Sequence, residues 1–256
     1  MSDYQGWTLE EHEQIQPWNI LDHNLGLVIQ GMQQTGFQKW GFTIYRCTYS
    51  DVDAWLRYIQ YVREEFINTL IIYGQQFLLE KYLDIEVIED RDQLDGASKP
   101  LIRSIFAEKA ERDRQTEHGG PGTATLIARM IPRFNYCLYV DQACLDTLLA
   151  YEKWKREHEQ GGHQNEMPPY VVCAIIDTDC EPEGEGKDGY EPVEGCTRYF
   201  PGWMYCVVKF LPDIYNRLHF EELIDGYKSY ERPPAVTNAK GQRMPLVAET
   251  VPTVQI

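Results

Sequence analysis

The stretch Trp40 to Tyr61, WGFTIYRCTYSDVDAWLRYIQY, reads as a strand that runs straight into an amphipathic helix, and its grammar returns at Arg133 to Tyr151, RFNYCLYVDQACLDTLLAY. In the first copy Phe42, Ile44 and Arg46 alternate with Thr43, Tyr45 and Cys47, which suits a pleated, largely buried strand. Ser50 or Asp51 offers a helix cap, after which Val52, Trp55, Leu56, Ile59 and Phe66 recur at helical spacing opposite Asp53, Arg57, Gln60 and Arg63. The second copy sets Phe134, Tyr136, Leu138 and Val140 in the strand, Asp141 at the cap, and Leu145, Leu148 and Leu149 on one stripe. Two such units in one chain predict a duplicated architecture.

The rest of the chain fills in around them. Asp84 to Ile88 reads as a short strand, Glu89 to Ser98 as a turn-rich connection, and Lys99 to Arg114 as an inserted helix with Leu101, Ile102, Ile105 and Phe106 on one side and Arg103, Glu108, Lys109 and Arg112 on the other. Tyr170 to Ile176 is an apolar run fit for a central strand, and Trp203 to Tyr227 has a helical pattern broken at Pro212. The predicted fold class is therefore α+β: a duplicated βαβ, ferredoxin-like sandwich with an inserted helix and C-terminal helices. Residues 1–38 form a polar N-terminal extension, 39–232 a single domain with halves 39–115 and 129–232, and 233–256 a loose tail rich in proline. Strands apolar on both sides require the inserted helix, the C-terminal helices or a second subunit, hence a homodimer, over the far face.

Global charge narrows the function classes. A net charge of −16 over 256 residues repels nucleic-acid phosphates and anionic lipid unless a local basic patch overrules the total, so DNA is not an expected partner. The apolar runs are too short for a membrane span and the N-terminus lacks the basic-then-apolar order of a signal peptide, which predicts a cytoplasmic protein without a membrane partner. Of seven cysteines, Cys47, Cys137 and Cys173 fall in apparent core strands, where thiols behave as small hydrophobes; Cys180 and Cys196, in an acidic loop, are the pair open to redox chemistry.

Standard motifs are missing or accidental. Gly184 to Gly189 spells a dinucleotide fingerprint, yet carboxylates crowd it and Pro192 stands where a helix should start. His158 and His163 with Cys173 and Cys180 have no standard zinc spacing, so neither a metal nor a cofactor is expected. The connection after the second strand carries more chemistry, because it gathers Glu89, Asp90, Asp92, Asp95 and Ser98 between a strand end and a helix start. Its plain reading is a turn and an N-cap. Its functional reading makes Ser98 a nucleophile at a helix N-terminus, with Glu89 or Asp95 as its base or as a clamp on a cation. Arg46, at the end of an apolar strand, needs a carboxylate, with Asp90 or Asp95 the nearest choices; Arg103 joins it as a second substrate-facing cation, and Trp203 with Tyr205 can line a pocket or simply fill core.

Four blocks, WGFTIYRCTYSDVDAWLRYI, IEDRDQLDGASKPLIRSIF, RFNYCLYVDQACLDTLLA and GWMYCVV, together resemble a large family of small ascomycete fungal proteins, over roughly Trp40 to Pro234. Within it the chain resembles the arginine-containing cyclodipeptide synthases, which join arginine to a second amino acid from aminoacyl-tRNAs. No catalytic motif carries the likeness. It implies a secondary-metabolite enzyme with aminoacyl-tRNA as partner, catalytic roles for Ser98, Glu89 and Asp95, and substrate contacts from Asp90, Arg46, Arg103 and Trp203. The acidic balance suits an arginyl side chain, while tRNA phosphates would need Arg103, Lys109, Arg112 and Arg114 on the inserted helix. The competing expectation is a non-catalytic interaction or dimerisation module.

Overall fold

The computed structural model describes residues 24–117, 130–159, 167–180, 189–220, 223, 232–237 and 243–244. In chain order the elements are α1 (Gly26–Thr35), β1 (Thr43–Arg46), α2 (Val52–Ile72), β2 (Glu86–Ile88), α3 (Lys99–Thr116), β3 (Tyr136–Val140), α4 (Gln142–Glu159), β4 (Val172–Asp177), β5 (Trp203–Val207), α5 (Leu211–Arg217), β6 (Val236–Thr237) and β7 (Arg243–Met244), with single helical turns at Gln76–Leu79, Arg91–Leu94 and Pro132–Asn135. The α+β sandwich expected from the sequence is the architecture. Its sheet runs β2-β1-β3-β4-β5-β6-β7, the last two strands being two residues long.

Pairing is mixed where a ferredoxin-like sheet would be antiparallel. β1 lies parallel to both β2 and β3, with Ile44 opposite Val87 on one side and Leu138 on the other. Antiparallel pairing begins at β3–β4 and continues into β5. The cause is placement: α2 returns the chain to the start of β1, so β2 runs the same way, and the inserted α3 does the same for β3.

Period-two alternation sends Thr43 and Tyr45 to one face and Phe42, Ile44 and Arg46 to the other. On the first face Tyr45 meets Phe106 of α3 with ring centroids 6.3 Å apart. The inserted helix is thus the cover that the two-sided apolar strands demanded. On the second face Arg46 lies over Trp55 of α2, Phe42 over Tyr215 of α5, and the Tyr58 hydroxyl donates to the Val172 carbonyl at 2.5 Å.

Two helix faces are rotated from the sequence reading, and one expected helix is a strand. In α2 the buried side is Trp55, Tyr58, Val62, Phe66 and Leu70, while Val52 and Leu56 are 55% and 60% exposed. In α3 it is Lys99, Ile102, Arg103, Phe106 and Ala110, with Leu101 turned outward. Trp203–Val207, expected in a helix, is strand β5 with every residue buried. A run apolar at every position satisfies a helical stripe and a central strand equally, and the neighbouring β4 decides in favour of the strand. Pro212 then starts α5 instead of breaking it.

Both predicted caps are in place. Asp51 accepts from Ala54 N at 2.8 Å and Asp141 from Cys144 N at 3.0 Å. α1, within the N-terminal extension, lacks a side-chain cap of its own, and Asn216 of α5 supplies one by accepting from Leu27 N and Val28 N at 3.0 and 3.2 Å. In the tail, Val236 pairs with Tyr205, so that stretch belongs to the sheet. The dinucleotide-like run before Gly189 lies outside the described residues, as does His163.

Candidate functional site

The carboxyl ends of β1, β2 and β3 open on one edge of the sheet, and both strand-to-helix junctions meet there. Gln142, first residue of α4, ties them together: its Oε1 accepts from Thr48 Oγ1 at 2.6 Å and from Ser50 Oγ at 2.5 Å.

At the edge between β1 and β2, Arg46 has only 5% of its side chain exposed. Its guanidinium lies 4.3 Å from the Tyr49 ring centroid and 5.1 Å from that of Trp55, and donates to the Thr48 carbonyl at 2.9 Å. The expected carboxylate partner is present, but it is Glu89 and not Asp90 or Asp95. Glu89 accepts from Arg46 Nη1 at 3.3 Å and from Trp55 Nε1 at 2.6 Å, with its side chain 45% exposed. Asp90 caps the turn at Arg91–Leu94 by accepting from Gln93 N at 3.2 Å, and its own N–H donates to the Tyr49 hydroxyl. Asp95 stands 48% exposed, 3.8 Å from Arg91.

Across β3 the centre is Lys99, which the sequence reading left on an ordinary helix start. Its side chain is 2% exposed. The ammonium sits 4.0 Å from the Trp203 ring centroid and 4.5 Å from that of Tyr139, donates to Glu194 at 2.5 Å, and has Asp141 Oδ2 at 3.9 Å. Aromatic faces and carboxylates both compensate a buried cation. Trp203 and Tyr205 meet edge to face at 5.3 Å on the same side of β5. Burial pushes the Cys47 thiol up to about 12, helped by the charge of Asp141 and opposed by Lys99, so this cysteine is no thiolate nucleophile. Burial likewise pushes up the Tyr139 and Tyr205 phenols.

Glu194 reaches Lys99 from a tight hairpin. Val193 and Cys196 exchange both backbone hydrogen bonds, at 3.0 and 2.9 Å, leaving Glu194 and Gly195 as the two central residues with φ of 50° and 84°. Arg232 fixes the hairpin from behind by donating to the carbonyls of Glu191, Cys196 and Arg198.

The structure thus brings together Arg46 with Glu89, and Trp203 with a lysine that was not predicted. Ser98 is exposed and serves as the N-cap of α3, accepting from Leu101 N at 3.5 Å, which is its plain reading. Arg103 does not join Arg46. It is buried one turn further along α3 and donates to the carbonyls of Asp177, Pro201 and Gly202 at 2.9, 3.2 and 3.0 Å, a clamp across the ends of β4 and β5. Of the other phosphate contacts expected on α3, Lys109 pairs with Glu86 and Asp113 and Arg114 with Glu111, while Arg112 is exposed. One signal could have found Lys99: residues 99, 102, 103, 106 and 110 form a single helical stripe, so a cation at 99 shares the face of Phe106.

Away from this edge, a groove of about 410 Å³ runs between α2 and α4, lined by Leu56, Arg57, Tyr61, Leu148, Tyr151 and Glu152. Among the described residues no group of three histidine, cysteine or acidic side chains is arranged to hold a metal ion, and no helix is long and apolar enough to cross a membrane. No family model matches the chain, and no curated protein or solved structure matches it either.

Proposed function

We propose that the protein is a biosynthetic enzyme of aminoacyl transfer that forms an arginine-containing cyclic dipeptide at the carboxyl edge of its sheet. The observation that carries the reading is the pairing of half-exposed acids with buried cations on that edge: Glu89 on Arg46 and Glu194 on Lys99. The cations orient the acids, and the solvent-facing side of each half-exposed carboxylate is where a guanidinium or an amine would be received. Asp95, exposed four positions before Lys99, extends the same acidic rim. Ser98 is the acyl acceptor in this reading, its hydroxyl exposed at the first turn of α3, where helix N–H groups favour developing negative charge. Charged tRNA is the acyl donor, and the engagement of Arg103, Lys109 and Arg114 moves its phosphates away from the buried and ion-paired side of α3.

Expression in a heterologous host followed by metabolite profiling tests the activity. New arginine-containing cyclic dipeptides that vanish in Glu89→Gln support it; an unchanged profile removes it. Ser98→Ala separates the nucleophile from the site, because near-normal yield leaves the edge in place and takes Ser98 out of the mechanism.

A second reading, a non-catalytic interaction module, has one observation in its favour. The groove between α2 and α4 is bordered by Leu56, 60% exposed, and Val52 lies 55% exposed on the same helix. A stable complex without turnover distinguishes it from the first.

A further inference from the structure

The Lys99 centre is a binding site for a small carboxylate whose place is taken by the protein's own Glu194: this we infer from three independent features of the hairpin and the cage. The first is conformational. Two-residue hairpins with both central φ positive call for Asn or Gly at the first position, and Glu194 holds φ of 50° there at a cost that the turn itself does not require. What the glutamate adds is its reach to Lys99.

The second feature is access. Glu194 is 43% exposed while the ammonium it touches is 2% exposed, so the carboxylate is the stopper between Nζ and solvent. An outward swing of that one side chain is the motion the proposal requires. The third is that the cage stays charged and walled when the stopper leaves. Asp141 remains 3.9 Å from Nζ and the rings of Trp203 and Tyr139 remain at 4.0 and 4.5 Å. Asp141 does not exclude an incoming carboxylate, because Glu194 is itself a carboxylate seated beside it. Trp203 and Tyr139 supply flat walls for the body of the ligand, so the favoured class is a small carboxylate attached to a planar or aliphatic group.

This inference concerns binding alone and stands whether or not aminoacyl transfer takes place. Its test uses the full chain, benzoate as the probe and benzamide as the neutral isostere at equal ionic strength. Glu194→Asn suits the turn better than glutamate and removes the stopper. Calorimetry should show the variant binding benzoate about tenfold tighter than the wild type, the gain expected when a site occupied some nine-tenths of the time by an internal competitor is freed. Benzamide should bind neither protein. In the ¹⁵N-lysine-labelled variant the Lys99 side-chain resonance, assigned by its loss in a Lys99→Arg/Glu194→Asn double variant, should move with benzoate. Equal affinities in wild type and variant, equal binding of benzamide, or a Lys99 resonance unmoved at saturation would each overturn the proposal. Failure here leaves metabolite formation untouched, and absence of product leaves the titration untouched.

Discussion

A Cβ placed on Gly202 would lie 2.2 Å from Nη2 of Arg103, inside the space that the guanidinium needs to reach the Pro201 and Gly202 carbonyls. Gly202 also has φ of 78°, which costs a side-chain-bearing residue about 1 kcal/mol or more. Both effects act in Gly202→Ala, and the displaced guanidinium forfeits buried hydrogen bonds worth about 1 kcal/mol each. The variant should therefore lose at least about 2 kcal/mol in urea denaturation. A midpoint equal to wild type would mean that the Arg103 clamp is not what joins these strand ends.

Glu89→Gln keeps an oxygen for the Trp55 N–H and removes the charge that faces Arg46. Breaking a fully buried ion pair costs about 3–5 kcal/mol, but Glu89 is 45% exposed, and water at the open side reduces the loss to about 1–2 kcal/mol. Thermal unfolding of the variant beside Arg46→Met checks this. Arg46→Met should be the milder change, because it leaves no cation buried without its counter-charge.

Asn216→Ala should free the first N–H groups of α1 and cost about 1 kcal/mol, the usual value of a lost helix cap. Hydrogen exchange is the sharper measurement. Protection should fall at Leu27 and Val28 while the amides of β3 and β4 keep theirs.

Acid sensitivity should have a component at His219. Burial holds this imidazole down at about 4, against 6.5 when free, with the Tyr215 carbonyl 3.1 Å from Nδ1 partly opposing the shift. Between these two values the unfolded chain takes up a proton that the folded chain refuses, so stability rises with pH from about 4 to 6.5 and is level above. The span is up to about 3 kcal/mol. His219→Phe should flatten that part of the stability-against-pH curve, and a variant with the wild-type slope would place the effect elsewhere.

What could be read in advance followed the periodicity of single elements. The strand-to-helix units, the Asp51 and Asp141 caps, and the need to cover both faces were all legible, because each depends on residues near one another in the chain. Strand direction was not, since β1 acquires its neighbours only when α2 and α3 have carried the chain back. β5 was mistaken for a helix because WMYCV is apolar at every step and carries no period. At the site, Arg46 declared its need for an acid, yet choosing Glu89 over Asp90 required the geometry of the Trp55 indole. The helical stripe hints that Lys99 is buried, but its surroundings were hidden for a related reason. Its partners Tyr139, Asp141, Glu194 and Trp203 come from three other parts of the chain, and only the assembled sheet edge makes them neighbours.

The parallel contact of β1 with β3 sets Thr43 beside Cys137 and Arg46 beside Val140. During synthesis the earlier strand leaves the ribosome with only β2 for company, one flank unpaired until the later one follows. Neither half is therefore a finished unit, and truncation between them should yield an aggregating fragment instead of a smaller domain. The central seam closes late, which ties the maturation of the sheet edge to completion of the chain.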